Sequence, residues 1–84
     1  MINVNVRYFA SIREALGAGE TVQAEAGLTV GGLRDMLIAR GGNHAVSLAR
    51  GRALRSALNQ TLCAESATVP DGAEVAFFPP VTGG

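Results

Sequence analysis

Ile2-Asn3-Val4-Asn5-Val6-Arg7-Tyr8 alternates apolar and polar residues with a period of two, the pattern of a strand with one face buried. The period then changes. Ser11-Ile12-Arg13-Glu14 has the form of a capping box, in which a Ser hydroxyl and a Glu carboxylate satisfy backbone N–H groups at a helix start, and Gly17 supplies a stop about two turns later. Thr21-Val22-Gln23-Ala24 predicts a second strand returning antiparallel to the first. Thr29 can cap a longer helix from about Val30 to Arg40, in which Val30, Leu33, Leu37 and Ile38 recur at three- and four-residue steps and make one apolar face. Gly41-Gly42 ends it. Residues 43–51 read equally as loop or as a further helical turn. Short strands follow at Leu54–Leu58 and Gln60–Cys63 around a turn at Asn59. Pro70-Asp71-Gly72 is a tight-turn signal, and Glu74–Phe78 reads as a last strand stopped by Pro79-Pro80.

The first and last strands are the most apolar, and buried central strands read that way. Placing them side by side and parallel leaves ample chain for the crossover such a pair requires. The expected fold class is α+β, a mixed sheet with one main helix packed across one face. At 84 residues this is one small domain, 1–79, followed by a flexible tail, 80–84.

Composition narrows the function classes. Seven Arg and no Lys balance seven acidic residues, so no basic field draws nucleic acid or anionic lipid, and neither is an expected partner. One Cys excludes an intramolecular disulfide framework and a Cys-rich zinc site, and no metal is expected. The start of the chain lacks the pattern of a signal peptide, and no apolar run is long enough to span a membrane, so a cytoplasmic protein is expected.

The most informative residues are the last eight, Phe77-Phe78-Pro79-Pro80-Val81-Thr82-Gly83-Gly84. A strong strand breaks at two prolines that prevent return as helix or central strand. Pro80 to Gly84 can reach about 17 Å when extended. Terminal glycines carry no Cβ, so a carboxylate there can thread a narrow pocket of another protein. The bland alternative is a frayed terminus.

Val6-Arg7-Tyr8-Phe9-Ala10 followed by Arg13-Glu14, then Asn59-Gln60, then Asp71 to Gly84 with its Phe-Phe-Pro-Pro-Val-Thr-Gly-Gly end, closely resemble the small sulfur-carrier subunits of molybdopterin synthase. The resemblance runs through the whole chain and departs at Ala73, where that family usually carries a second acidic residue after Asp-Gly. It implies the ubiquitin-like β-grasp fold. It also implies that Gly84 is adenylated and then thiocarboxylated, with Gly83 keeping the tail slim. Sulfur would pass to cyclic pyranopterin monophosphate in molybdenum cofactor biosynthesis. The implied partners are the large synthase subunit, in a heterotetramer, an adenylating activating enzyme that consumes ATP, and a sulfurtransferase donor. The chain would bind no cofactor and would not be an enzyme alone. Phe77, Phe78, Pro79, Pro80, Val81 and Thr82 would face the partner, although a regular strand sends Phe77 and Phe78 to opposite faces, one of them core. The alternatives are a carrier for another pathway, such as thiazole synthesis for thiamine, and a ubiquitin-like modifier or interaction domain.

Other candidates read as structural. Cys63, between Leu62 and Ala64 with no adjacent cation, reads as a strand residue and not a persulfide carrier. His44 has no acid or second ligand near it in sequence. Gly27-Leu28-Thr29-Val30-Gly31-Gly32 lacks the Gly-Lys-Ser/Thr ending of a phosphate loop, and Gly31 and Gly32 are expected to allow close packing at a helix start.

Overall fold

The alternation at the start of the chain forms strand β1 (Ile2–Tyr8), with Ile2, Val4, Val6 and Tyr8 inward and Asn3, Asn5 and Arg7 outward. The computed structural model describes residues 1–80. The chain continues as α1 (Ala10–Leu16), β2 (Gly19–Ala24), α2 (Val30–Ile38), α3 (Gly42–Ser47), β3 (Arg55–Leu58), β4 (Thr61–Cys63) and β5 (Glu74–Phe78). The sheet order is β2-β1-β5-β3-β4. β1 and β5 lie parallel at its centre, as their apolar character predicts, and the other pairs are antiparallel. The helices cover one face, and Val30, Leu33 and Leu37 of α2 join Val4, Val6, Tyr8, Val75 and Phe77 in one core. This is the ubiquitin-like β-grasp arrangement.

Several boundaries differ from the sequence reading, each for a local reason. The capping box does not form. Phe9 is the N-cap residue and no side chain caps α1, because Ala10 takes a positive φ of 54° and the chain turns directly off the end of β1. Ser11 is therefore inside the first turn, too late to cap it. β2 begins two residues before the expected Thr21, pairing Gly19 with Arg7 and Glu20 with Val6. A Cβ on Gly19 would lie 2.3 Å from the Val6 carbonyl oxygen, so glycine is what permits that pairing. α2 is capped as expected, with Thr29 Oγ1 accepting from Gly32 N at 3.1 Å, but it ends at Ile38. Gly41 and Gly42, with φ of 75° and 58°, then form a joint that no β-carbon-bearing residue adopts readily. The ambiguous stretch after them becomes the short helix α3.

Asn59 and Gln60, with φ of 49° and 71°, make the two-residue hairpin between β3 and β4. The Pro70-Asp71-Gly72 turn forms and is fastened to the head of β1. Asp71 Oδ1 accepts from Asn3 N at 2.8 Å, and Gly72 N donates to the Asn3 carbonyl at 2.7 Å. These two bonds align β5 with β1 and hence fix where the C-terminal stretch leaves the sheet.

Candidate docking surface

Cross-strand partners share a face, so register decides which residues of β5 look outward. Phe77 opposes Tyr8 and Ser56 and points into the core, where it is 1% exposed. It is thereby withdrawn from the partner-facing set in which the sequence reading placed it. Phe78 opposes Arg55 on the outer face and is half-buried. Ala76 lies beside Arg7 and Ala57, and Ala57 beside Leu62, so two small side chains make a low floor between larger ones. On this face a shallow cavity of about 260 Å³ is bordered by Arg55, Leu62, Phe78 and Pro80. Leu62 is 61% exposed and shares the rim of this cavity with half-buried Phe78, which makes a small apolar patch that the sequence alone does not mark. Phe9, at the end of β1, is also exposed and lies under the Arg7 guanidinium, 5.9 Å from its carbon to the ring centre.

Beyond Phe78 the chain passes through half-buried Pro79 to exposed Pro80. Val81, Thr82, Gly83 and Gly84, which carry the expected modification site, lie outside the described residues.

The fold also assembles two polar clusters that the linear sequence hides. Glu20, inward at the sheet edge, accepts from the Tyr8 hydroxyl at 2.7 Å, pairs with Arg40, and lies 2.7 Å from His44 Nε2. His44 is thus not alone: an acid 24 residues away in sequence meets it, and its ring stands edge-on to Tyr8 at 6.4 Å. Burial pushes the Glu20 carboxyl up, but bonds from His44, Arg40 and Tyr8 outweigh it and hold the group at about 2. Burial, then the bond to Glu20, push the Tyr8 phenol well above its usual range. A phenol held so firmly protonated is no nucleophile, and the cluster acts as a clasp between β2 and the helices.

The second cluster surrounds Arg34, whose side chain is 5% exposed. Its guanidinium donates to the carbonyls of Leu48, Ala49 and Arg52 at 2.7, 2.6 and 3.1 Å and to Glu65 at 2.8 Å. Arg50 joins from the surface, pairing with Glu65 and Asp35 and donating to the Gly31 carbonyl at 2.9 Å. Every donor at the start of α2 is also occupied: Val30 N by Ala67 O, Gly31 N by Glu65 O, Gly32 N by Thr29, and Leu33 N by Thr29 O. No N–H remains there for a phosphate. Cys63 sits half-buried in β4 against the core, its Sγ 3.7 Å from Ser56 Oγ. Among the described residues no group of His, Cys, Asp and Glu could hold a metal, and no helix is long and apolar enough to cross a membrane.

The chain is 43% identical over 81 residues, 96% of its length and 99% of the relative's, to the molybdopterin synthase sulfur carrier subunit of Escherichia coli (strain K12). Its fold matches the small archaeal modifier protein 1 of H. volcanii with a TM-score of 0.78 at 23% identity, covering 96% of this chain and all of that one. It also matches, with a TM-score of 0.68 at 26% identity over 99% of this chain and all of the other, a chain from the complex of subunits 1 and 2 of molybdopterin-converting factor from Helicobacter pylori 26695. The ThiS family model spans residues 6–84, from the second half of β1 through the Gly-Gly end, and the chain belongs to the ThiS family.

Proposed function

We propose that this chain is the sulfur-carrier subunit of a molybdopterin synthase, working in the cytoplasm as a protein cosubstrate and not as a catalyst. The observation that carries the reading is the near-full-length identity to a relative of that name, together with the Phe-Phe-Pro-Pro-Val-Thr-Gly-Gly ending. In the proposed cycle the Gly84 carboxylate attacks the α-phosphorus of ATP on the activating enzyme, releasing pyrophosphate and forming an acyl adenylate. Sulfur from a donor protein, delivered at the sulfide level, displaces AMP at the acyl carbon and leaves a thiocarboxylate. That sulfur then attacks a side-chain carbon of the pterin substrate in the large subunit, and the carbon–oxygen bond at that carbon breaks as the oxygen leaves. Water cleaves the resulting acyl–sulfur bond and regenerates the Gly84 carboxylate, and two such transfers build the dithiolene. The chain's own contribution is delivery. β5 anchors the base of the tail in the core through Phe77, the prolines end the strand, and Gly83 carries no Cβ.

The test is intact mass after co-expression with the native activating enzyme and sulfur donor. The expected result is the mass gain of one oxygen replaced by sulfur, located on Gly84. A residue appended after Gly84 converts its carboxylate to an amide and should abolish both the mass gain and dithiolene formation. Cys63→Ala should retain both. Normal dithiolene formation by the extended chain, with the extension still attached, would overturn the reading; so would a folded but inactive Cys63→Ala variant, which would put the sulfur on the thiol.

A further inference from the structure

We propose that Arg55 heads the outer groove as the charged anchor of a docking site, and that the large synthase subunit meets it with a carboxylate set among apolar side chains. The inference rests on the sulfur-carrier reading and adds the chemistry of the partner surface.

The arginines of this chain are mostly committed internally. Among the described residues Arg7, Arg34, Arg40 and Arg50 all pair with carboxylates. Arg13, Arg52 and Arg55 do not, and of these only Arg55 borders the groove formed with Leu62, Phe78 and Pro80. Arg52 lies elsewhere, in a separate hollow with Ser11, Ile12, Ala15, Val46 and Ser47. Arg55 is placed by strand register, opposite Phe78 and therefore beside the last residue of β5 before the prolines.

The carboxylate follows from the cost of docking. A partner that covers exposed Leu62 and half-buried Phe78 removes water from their surroundings, and Arg55 borders the same cavity. A guanidinium that loses water without an acceptor is strongly destabilising, so an apolar-only partner would be rejected. A carboxylate restores the lost hydrogen bonds in bidentate geometry, and the register that sets Arg55 opposite Phe78 puts that acid at the apolar patch. The groove thus demands one acid within an apolar patch, and that demand discriminates among partners as much as it binds. Continuity with the tail favours the large subunit as occupant, because a surface gripping this groove holds the base of the segment that must enter its active site.

The experiment titrates the purified large subunit with wild type, Arg55→Gln and Phe78→Ala at low and high ionic strength, and records the thermal midpoint of each variant. Arg55 makes no side-chain bond among the described residues, so Arg55→Gln should melt as wild type does. It should bind about thirtyfold more weakly at low salt, in the lower part of the range seen for close charge pairs across interfaces, and should lose most of the salt dependence. Phe78→Ala should weaken binding at both salts. Arg55→Glu should be rescued by changing one acidic residue of the large subunit to Lys. Arg55→Gln binding like wild type, with an unchanged salt dependence, would overturn the proposal and leave the sulfur-carrier reading intact. A wild-type chain that does not bind the large subunit at all would remove both. A variant that alters only self-association would assign the groove to a second copy of this chain and would equally overturn the proposal.

Discussion

Replacing Arg34 should be among the most damaging single substitutions in the molecule, although Arg34 touches neither the groove nor the tail. Its side chain is 5% exposed and donates to three backbone carbonyls and one carboxylate, drawing residues 48–52 against α2. Arg34→Met fills similar space but has no donor. The buried carbonyl of Leu48 then loses its partner, those of Ala49 and Arg52 are left to whatever water can reach, and Glu65 keeps only Arg50. Hydrogen bonds to charged groups contribute about 1.5–3 kcal/mol each, but the exposed Arg52 and the partly solvated Glu65 recover much of theirs from water. The loss is therefore set mainly by Leu48 and Ala49, at about 3 kcal/mol. For a domain of this size that lowers the thermal midpoint by about 12–24 °C. Urea titration followed by circular dichroism measures the loss directly, and hydrogen exchange should show residues 48–54 opening first. Arg34→Lys keeps the charge without the planar fork and should recover less than half of the stability. A loss below about 1 kcal/mol in Arg34→Met would show that these carbonyls are satisfied without the guanidinium, and the reasoning would fail.

The two adjacent phenylalanines should separate folding from docking. Phe77→Ala removes a fully buried ring and should cost about 3–5 kcal/mol of stability, whereas Phe78→Ala should fold normally and weaken large-subunit binding by about 2 kcal/mol; the opposite pattern in paired denaturation and binding measurements would reverse the face assignment. Glu20 should make stability fall in acid. Its carboxyl is held at about 2 in the folded chain against 4.5 when free, so its contribution is complete above 4.5 and is lost as pH drops from there toward 2. After allowance for solvent screening that contribution is about 1–2 kcal/mol. Glu65, lowered by Arg50 and Arg34, acts in the same direction, so the diagnostic quantity is the difference between wild type and Glu20→Gln, which should shrink across that window. A constant difference would refute the assignment.

What could be read from sequence followed the strength of the periodic signals. β1 alternates without a fault, α2 carries an apolar stripe, and the first and last strands pair at the centre of the sheet. β5 was legible as a strand but not as an oriented one. Val75-Ala76-Phe77-Phe78 is apolar on both faces, so only the pairing of Phe77 with Tyr8 and Ser56 reveals which ring is core. The capping box misled because Ala10 adopts a left-handed conformation that no propensity of alanine suggests. The Glu20 clasp could not be read at all, since it depends on a register that turns Glu20 inward and on a helix packed over it from 24 residues away. Arg34 did leave a signal. It follows Val30 by four residues and precedes Leu37 by three, a charge on the apolar stripe of its helix, and a charge so placed has to find buried partners.

The two clasps bear on the delivery of sulfur because of where they pull. One fastens α3, through His44, to the edge of β2; the other draws residues 48–52 against α2, three residues before β3 begins. Arg55 is the first residue of β3, so its position beside Phe78 depends on a segment held from behind by a buried guanidinium. A groove assembled this way loses little further freedom when a partner binds, which favours affinity from a small surface. It also follows that damage to the Arg34 cluster should appear twice, as lower stability and as weaker docking in molecules that remain folded. Damage to the Glu20 clasp, anchored at the opposite edge of the sheet, should lower stability and leave docking nearly unchanged.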